Sequence, residues 1–288
     1  MPAPLLFLLS GLTQYAGAAV AVRLFATLAP TTVAWLRMAV AAVVLLAWAR
    51  PWRARLRGRR LRTAVVFGVV LCAMNVSFYV AIAHLPLGTA VALEFLGPVA
   101  VAAITGAGWR DRAAIGVALV GVVLLAGISL RTGPTARTGL VAILLAAALW
   151  AGYIVLGRRV AGQSEGLTGL AVGMSSGALV FAPFLAAGAA PVLTDWRLAL
   201  AVLAVAVFSS VVPYAVEQVV LRRVTAATFA VLVALLPATA GLVGAVVLRQ
   251  MPRALEIVGM LLVCAAIVLT GLSSRPSVDE RLPVEATG

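Results

Sequence analysis

The sequence predicts an all-α integral membrane protein with ten transmembrane helices arranged as two inverted five-helix repeats. Three observations lead there. Hydrophobic residues make up 64% of the 288 residues and charged residues only 11%, a balance far from that of a water-soluble domain. The chain divides into ten apolar stretches, most of them near the roughly 20 residues that a bilayer-spanning helix needs. Sliding it against itself by 139 residues lays Leu85 to Pro98 over Val224 to Pro237, with Thr89 on Thr228, Leu93 on Leu232, Leu96 on Leu235 and Pro98 on Pro237.

The spans are expected at 4–22, 30–49, 63–83, 87–107, 113–129, 138–157, 167–188, 197–218, 225–247 and 254–272. The first lacks a basic leading region and a small-residue cleavage pattern, so it reads as a retained helix rather than a signal peptide. Span two opens at Pro30 and contains Arg37; span three carries Asn75 and Tyr79 and stops before His84 and Pro86, which read as a loop. Span four places Glu94 and Pro98 in an apolar helix. Spans five and ten are plain apolar stretches. Span six holds Trp150 and Tyr153, and span seven has the small-residue stripe Gly169, Gly173, Gly177, suited to close helix packing. Span eight contains Pro213, Tyr214 and Glu217, and span nine contains Pro237. Connections are short apart from 50–62 and the tail, leaving no room for a soluble catalytic domain. The halves divide as 1–130 and 131–274, with 275–288 a disordered cytoplasmic tail.

All 22 basic residues are arginine. With the N-terminus inside, 15 of them fall in inner loops and the tail and 6 in outer loops. The positive-inside rule therefore places both termini in the cytoplasm. The run Arg53 to Arg62 reads as a topology anchor on the inner leaflet rather than a nucleic-acid site. Cys72 and Cys264 lie within spans, and no Cys or His spacing makes a metal site, so no metal or cofactor is expected.

Five helices per half is an odd number, so the second half inserts upside down, and inverted repeats of this kind place a substrate site near the midplane between them. Proline cannot donate to the carbonyl four residues back. Pro98 thus frees the carbonyl of Glu94, Pro237 that of Val233, and Pro213 that of Ser209. Such prolines can be ordinary kinks; the symmetric pair beside a buried carboxylate favours a functional reading.

Arg37 lies seven residues beyond Pro30 and Glu94 seven beyond Leu87, so both sit about 10 Å below the outer face at 1.5 Å per residue. Intramembrane charges pair or face water, and an arginine beside a glutamate offers partners for both ends of a zwitterion. The alternative is an Arg37 that snorkels to the headgroups. Asn75 with Tyr79, Trp150 with Tyr153, and Tyr214 with Glu217 each share a helix face and can line a cavity. The aromatic residues can instead belong to interfacial belts.

Gln14 in span one, Leu36-Arg37, Met74-Asn75 with Phe78-Tyr79, Pro86-Leu87-Gly88 followed by Ala90 to Phe95 and Gly97-Pro98, Trp150-Ala151 with Tyr153-Ile154, and Pro213-Tyr214 with Glu217 resemble the drug/metabolite transporter superfamily. Within it the pattern is most similar to the threonine and homoserine exporter group of EamA-type carriers. That resemblance implies ten helices in two inverted repeats and export of amino acids driven by protons. The chain departs from the family pattern at Leu236, where Glu commonly precedes the proline, and at Gln250, a usual Glu position.

The expected function is export of small amino acids or related metabolites across the bacterial inner membrane by proton antiport with alternating access. Substrate-binding residues would be Gln14, Arg37, Asn75, Tyr79, Glu94, Trp150, Tyr153 and Tyr214, with Glu94 also carrying the proton. The expected partners are the small-molecule substrate, protons and the lipid bilayer, with no nucleic acid, in a monomer or weak homodimer. Export of nucleosides, purines or drugs is the alternative within transport. A membrane-embedded enzyme is a distant alternative, since the chain has one His and no Lys. A purely structural subunit would leave Glu94 unexplained.

The charge asymmetry generates a labelling test. Cysteines introduced at Arg57 and Ser277 should resist an impermeant thiol reagent applied to intact cells, and one at Thr132 should react. The reverse pattern would invert the topology.

Overall fold

The computed structural model describes residues 3–49, 58–105, 108–130, 135–161, 166–213, 216 and 232–273, and among them the secondary structure is helical, with no strand. The first five spans give α1 (Ala3–Leu24), α2 (Pro30–Ala49), α3 (Arg59–Ile82), the pair α4 (Leu87–Glu94) and α5 (Leu96–Thr105), and α6 (Trp109–Leu130). The remainder gives α7 (Thr135–Ala161), α8 (Gly166–Leu185), a short 3₁₀ turn leading into α9 (Ala190–Thr194), α10 (Trp196–Ala206), α11 (Leu236–Val247) and α12 (Ala254–Ser273). Among the described residues, five helices are long and apolar enough to cross a membrane, and five shorter apolar helices accompany them. The protein is an all-α, multi-pass membrane protein.

Several elements differ from the sequence expectation in ways that have local causes. Span four is two helices with a turn at Phe95, three residues before Pro98. Stacked end to end, the 19 residues from Leu87 to Thr105 still reach about 28 Å, close to the hydrocarbon thickness. Span seven ends at Leu185, two residues after Pro183, and the chain then runs through α9 before span eight begins. Span eight is not a uniform α-helix: Val207–Val211 form a π-helical turn just ahead of Pro213. Asp195 caps α10 by accepting from the Arg197 amide at 2.8 Å. In span nine the chain turns at Ala234 and Leu235 before α11. Tyr214, Glu217, Thr228, the basic run before Gly58 and the tail after Ser273 lie outside the described residues.

Helices from the two halves interleave. Along their lengths α3 packs on α7 and α8, α2 on α8 and α10, α6 on α12, α4 on α11, and α1 on α10 and α11. Small residues permit the closest crossings. Gly68 of α3 faces the backbone of Gly173, and Gly177 faces that of Gly68, so the expected glycine stripe is a helix-packing surface. Gly88 of α4 meets Gly241 of α11 in the same way. Trp35 adds a directional tie, its indole N–H donating to the Ala178 carbonyl at 2.7 Å. Outward faces carry large apolar residues such as Val43, Val123, Leu179 and Val246, as lipid-facing surfaces require.

A Cβ at Gly68 has nowhere to go except into Gly173 backbone. Gly68→Ala is therefore expected to destabilise the purified protein in detergent by about 1–3 kcal/mol through overpacking. Gly116 of α6 has open space around it, and Gly116→Ala should be neutral or slightly stabilising. Equal melting temperatures for the two variants would contradict the close crossing.

Candidate functional site

A cavity of ≈ 160 Å³ lies among the helices, with walls drawn from both halves of the chain. From the first half come Gln14 and Tyr15 of α1, Arg37 of α2, Met74, Asn75 and Phe78 of α3, and Glu94 of α4. The second half contributes Trp150 and Tyr153 of α7, Ser209 and Pro213 beyond α10, and Leu236 of α11. The arginine, the glutamate and both α7 aromatics expected from the sequence thus share one wall system. Arg37 is 8% exposed, which settles its orientation: it faces the interior and does not snorkel to the headgroups.

Local structure explains how Arg37 is held. Pro213 cannot donate to the carbonyl of Ser209, and the π-helical turn at Val207–Val211 presents that carbonyl to the interior. The Arg37 Nη2 donates to it at 2.8 Å, Nε donates to Ser210 Oγ at 2.7 Å, and Nη1 donates to the Tyr79 hydroxyl at 3.3 Å. The guanidinium also lies 5.5 Å from the centre of the Tyr79 ring. Tyr79 is wholly buried and is absent from the cavity wall. Its contact with Arg37, through the hydroxyl and the ring, links it to the cavity wall indirectly. One planar fork therefore fastens α2 to α3 and to span eight.

Glu94 is placed by the break in span four. It is the last residue of α4, and Phe95 in the following turn packs edge-on against Trp150 at 4.8 Å between ring centres. The start of α4 is fixed as well, because the Leu87 amide donates to Gln250 Oε1 at 2.9 Å. Pro86 precedes α4 with no side chain able to cap it, so Gln250, a residue that sequence reasoning noted only as a departure, performs that task from the far half. Glu94 is half-buried and lines the cavity, and the charge that acts on its carboxyl is Arg37. A guanidinium and a carboxyl consequently line one site inside an apolar bundle.

The remaining wall is aromatic or neutral polar. Tyr153 stacks on Phe67 at 4.9 Å, and both α7 aromatics are half-buried on the cavity wall. Asn75 donates its amide to the Leu71 carbonyl at 2.9 Å, which leaves its side-chain oxygen as the acceptor. Pro98 and Pro237 lie off the wall, Pro98 half-buried and Pro237 buried, and they act on helix shape. Tyr15, Met74, Phe78 and Ser209 were not singled out as ligand contacts from sequence. The helical spacing of Met74 and Phe78 around Asn75 was the available signal for two of them.

A guanidinium and a carboxyl in a midbundle cavity, closed by broken helices, is the construction of a secondary transporter. The comparisons agree. The model of the EamA-like transporter family matches residues 137–272. The threonine/homoserine exporter RhtA of Salmonella typhimurium (strain SL1344) is 34% identical over 94% of this chain and 92% of its own length. RhtA of Escherichia coli (strain K12) is 34% identical over 90% of this chain and 88% of its own. One solved crystal structure aligns with 94% of this chain and 96% of its own at 18% identity and a TM-score of 0.58, a likeness of fold. The chain belongs to the EamA-like transporter family.

Lysine has a point charge where arginine has a fork, so Arg37→Lys cannot reproduce the bonds to Ser209, Ser210 and Tyr79 together. Losing even one hydrogen bond to a charged group is worth about 1.5–3 kcal/mol. The variant should unfold at a lower temperature than wild type in detergent, and an unchanged temperature would show that these ties do not fasten the bundle.

Proposed function

We propose that this protein exports threonine, homoserine or similar small amino acids across the bacterial inner membrane in exchange for protons. The observation that carries the reading is the placement of Arg37 and Glu94 on one cavity that both halves of the chain enclose. A zwitterion needs a cation for its carboxylate and an anion for its ammonium, and the cavity has one of each. Arg37 receives the substrate carboxylate, and Glu94 receives the ammonium when ionised or a proton when the substrate has left. Exclusive occupancy of one carboxyl by either ligand is what couples their movements in opposite directions. Tyr79 contributes by orienting Arg37, Asn75 offers an acceptor, and Gln14, Trp150 and Tyr153 shape the wall. Tyr214 is assigned the same surroundings from sequence.

Size favours an amino acid over the nucleosides, purines or drugs considered as alternatives. A cavity of ≈ 160 Å³ is below the roughly 300–1,000 Å³ of pockets that take drug-sized ligands. The curated relatives named above are threonine/homoserine exporters. Transport, not enzymatic chemistry, is the activity assigned, with both termini in the cytoplasm.

The inverted-repeat reading, 1–130 against 131–274, supplies the mechanism of alternating access. It is supported by which helices touch. If each span corresponds to the one five places later, the contacts of spans two with seven, four with nine and five with ten map onto themselves. Those of span one with span nine, and of span three with span seven, map onto six with four and eight with two, and all of these occur. The two breaks, at Phe95 and at Ala234, are also 139 residues apart. Rocking of one repeat against the other would then expose the same site alternately to each side.

Glu94→Gln keeps the size of the side chain and much of its hydrogen bonding but cannot titrate. The variant should insert and fold yet lose proton-driven efflux of threonine in inverted membrane vesicles. Wild-type, pH-dependent efflux by Glu94→Gln would remove Glu94 from the coupling role.

A further inference from the structure

We infer that the Ser209 hydroxyl is the group that recognises the side-chain hydroxyl of the transported amino acid, an assignment that rests on the amino-acid reading above. Ser209 lines the cavity and is 2% exposed, and its Oγ has no hydrogen-bond partner among the described residues. Hydroxyls within helices commonly return to a carbonyl three or four residues back. Ser175, Ser176, Thr105 and Thr239 all do so here, at 2.7 to 2.9 Å. Ser209 departs from that habit, and it does so inside the π-helical turn. On its other side Gly17 of α1 comes so close that an added Cβ would stand 3.0 Å from Ser209 Oγ, so at that point α1 presents a glycine and no side chain. An orphaned polar atom on the wall of a ligand cavity is a place where a ligand's polar group belongs.

Position decides which part of the ligand. The carbonyl of the same residue holds Arg37 Nη2 at 2.8 Å, so the Ser209 hydroxyl stands next to the carboxylate-binding end of the site. In threonine the hydroxyl is on the carbon adjacent to Cα and in homoserine one carbon further, both a short reach from the carboxylate. Asn75, another neutral polar side chain of the wall, has one amide hydrogen on the Leu71 carbonyl and keeps its oxygen as an acceptor. A site that hydrogen-bonds a substrate hydroxyl discriminates against the analogue lacking it, because the buried partner is then left unpaired.

Threonine and homoserine share one deoxy analogue, L-2-aminobutyrate, which makes the test compact. Purified wild-type protein and Ser209→Ala in proteoliposomes would be compared for uptake of labelled threonine and homoserine against competing 2-aminobutyrate. Ser209→Ala removes an atom with no hydrogen-bond partner among the described residues and leaves the backbone tie to Arg37. The expected result is a wild-type preference for the hydroxylated substrates that falls roughly tenfold in Ser209→Ala. Ser209→Cys, with its weak thiol donor, should fall between the two and provides a second variant. An unchanged preference in both variants overturns the assignment of Ser209 while leaving amino-acid export in place. Wild-type protein that moves neither threonine nor homoserine overturns the substrate reading, and this assignment with it.

Discussion

A guanidinium buried in an apolar bundle is tolerable only if its donors are satisfied, and the rest of this site is arranged around meeting that demand for Arg37. The desolvation of an unpaired cation would exceed any single packing gain. Two elements answer it with three partners: α3 through Tyr79, and the π-helical turn through Ser210 and through the Ser209 carbonyl that Pro213 leaves without its helical donor. The proline, the irregular turn and the arginine are thus parts of one solution. Each would be destabilising alone.

Glu94 depends on a second set of constraints that crosses between the halves. Gln250 fixes the start of α4 from the loop before α12, Gly88 lets α4 lie against α11, and Trp150 of α7 receives Phe95 where the helix breaks. The two groups therefore reach one cavity through different neighbours. Arg37 is positioned by spans two, three and eight, and Glu94 by spans four, six and nine.

Much of this was legible in the sequence because it follows from composition and depth. The apolar segmentation gave most span boundaries within a few residues, and counting from Pro30 and Leu87 gave a common depth for Arg37 and Glu94. The rule that proline orphans a carbonyl pointed to Ser209, although only the structure supplied Arg37 as the recipient. What escaped depends on three-dimensional neighbours. A π-helical turn has no distinctive local composition, the capping of α4 by Gln250 links residues 163 positions apart, and the contact of Tyr79 with Arg37 requires knowing how α2 and α3 cross. The short helix α9 was missed because the apolar run continues through Ala186 to Leu193 without a break in hydrophobicity.

The central claim is that one carboxyl, Glu94, binds either the substrate ammonium or a proton. Calorimetric titration of the purified protein with threonine tests this most directly, using buffers of equal pH and different ionisation enthalpy to count protons exchanged on binding. At a pH where the empty site holds its proton, binding should release one proton per threonine, and Glu94→Gln should release none. Threonine binding with no proton released by the wild-type protein at any pH across its working range would contradict the account.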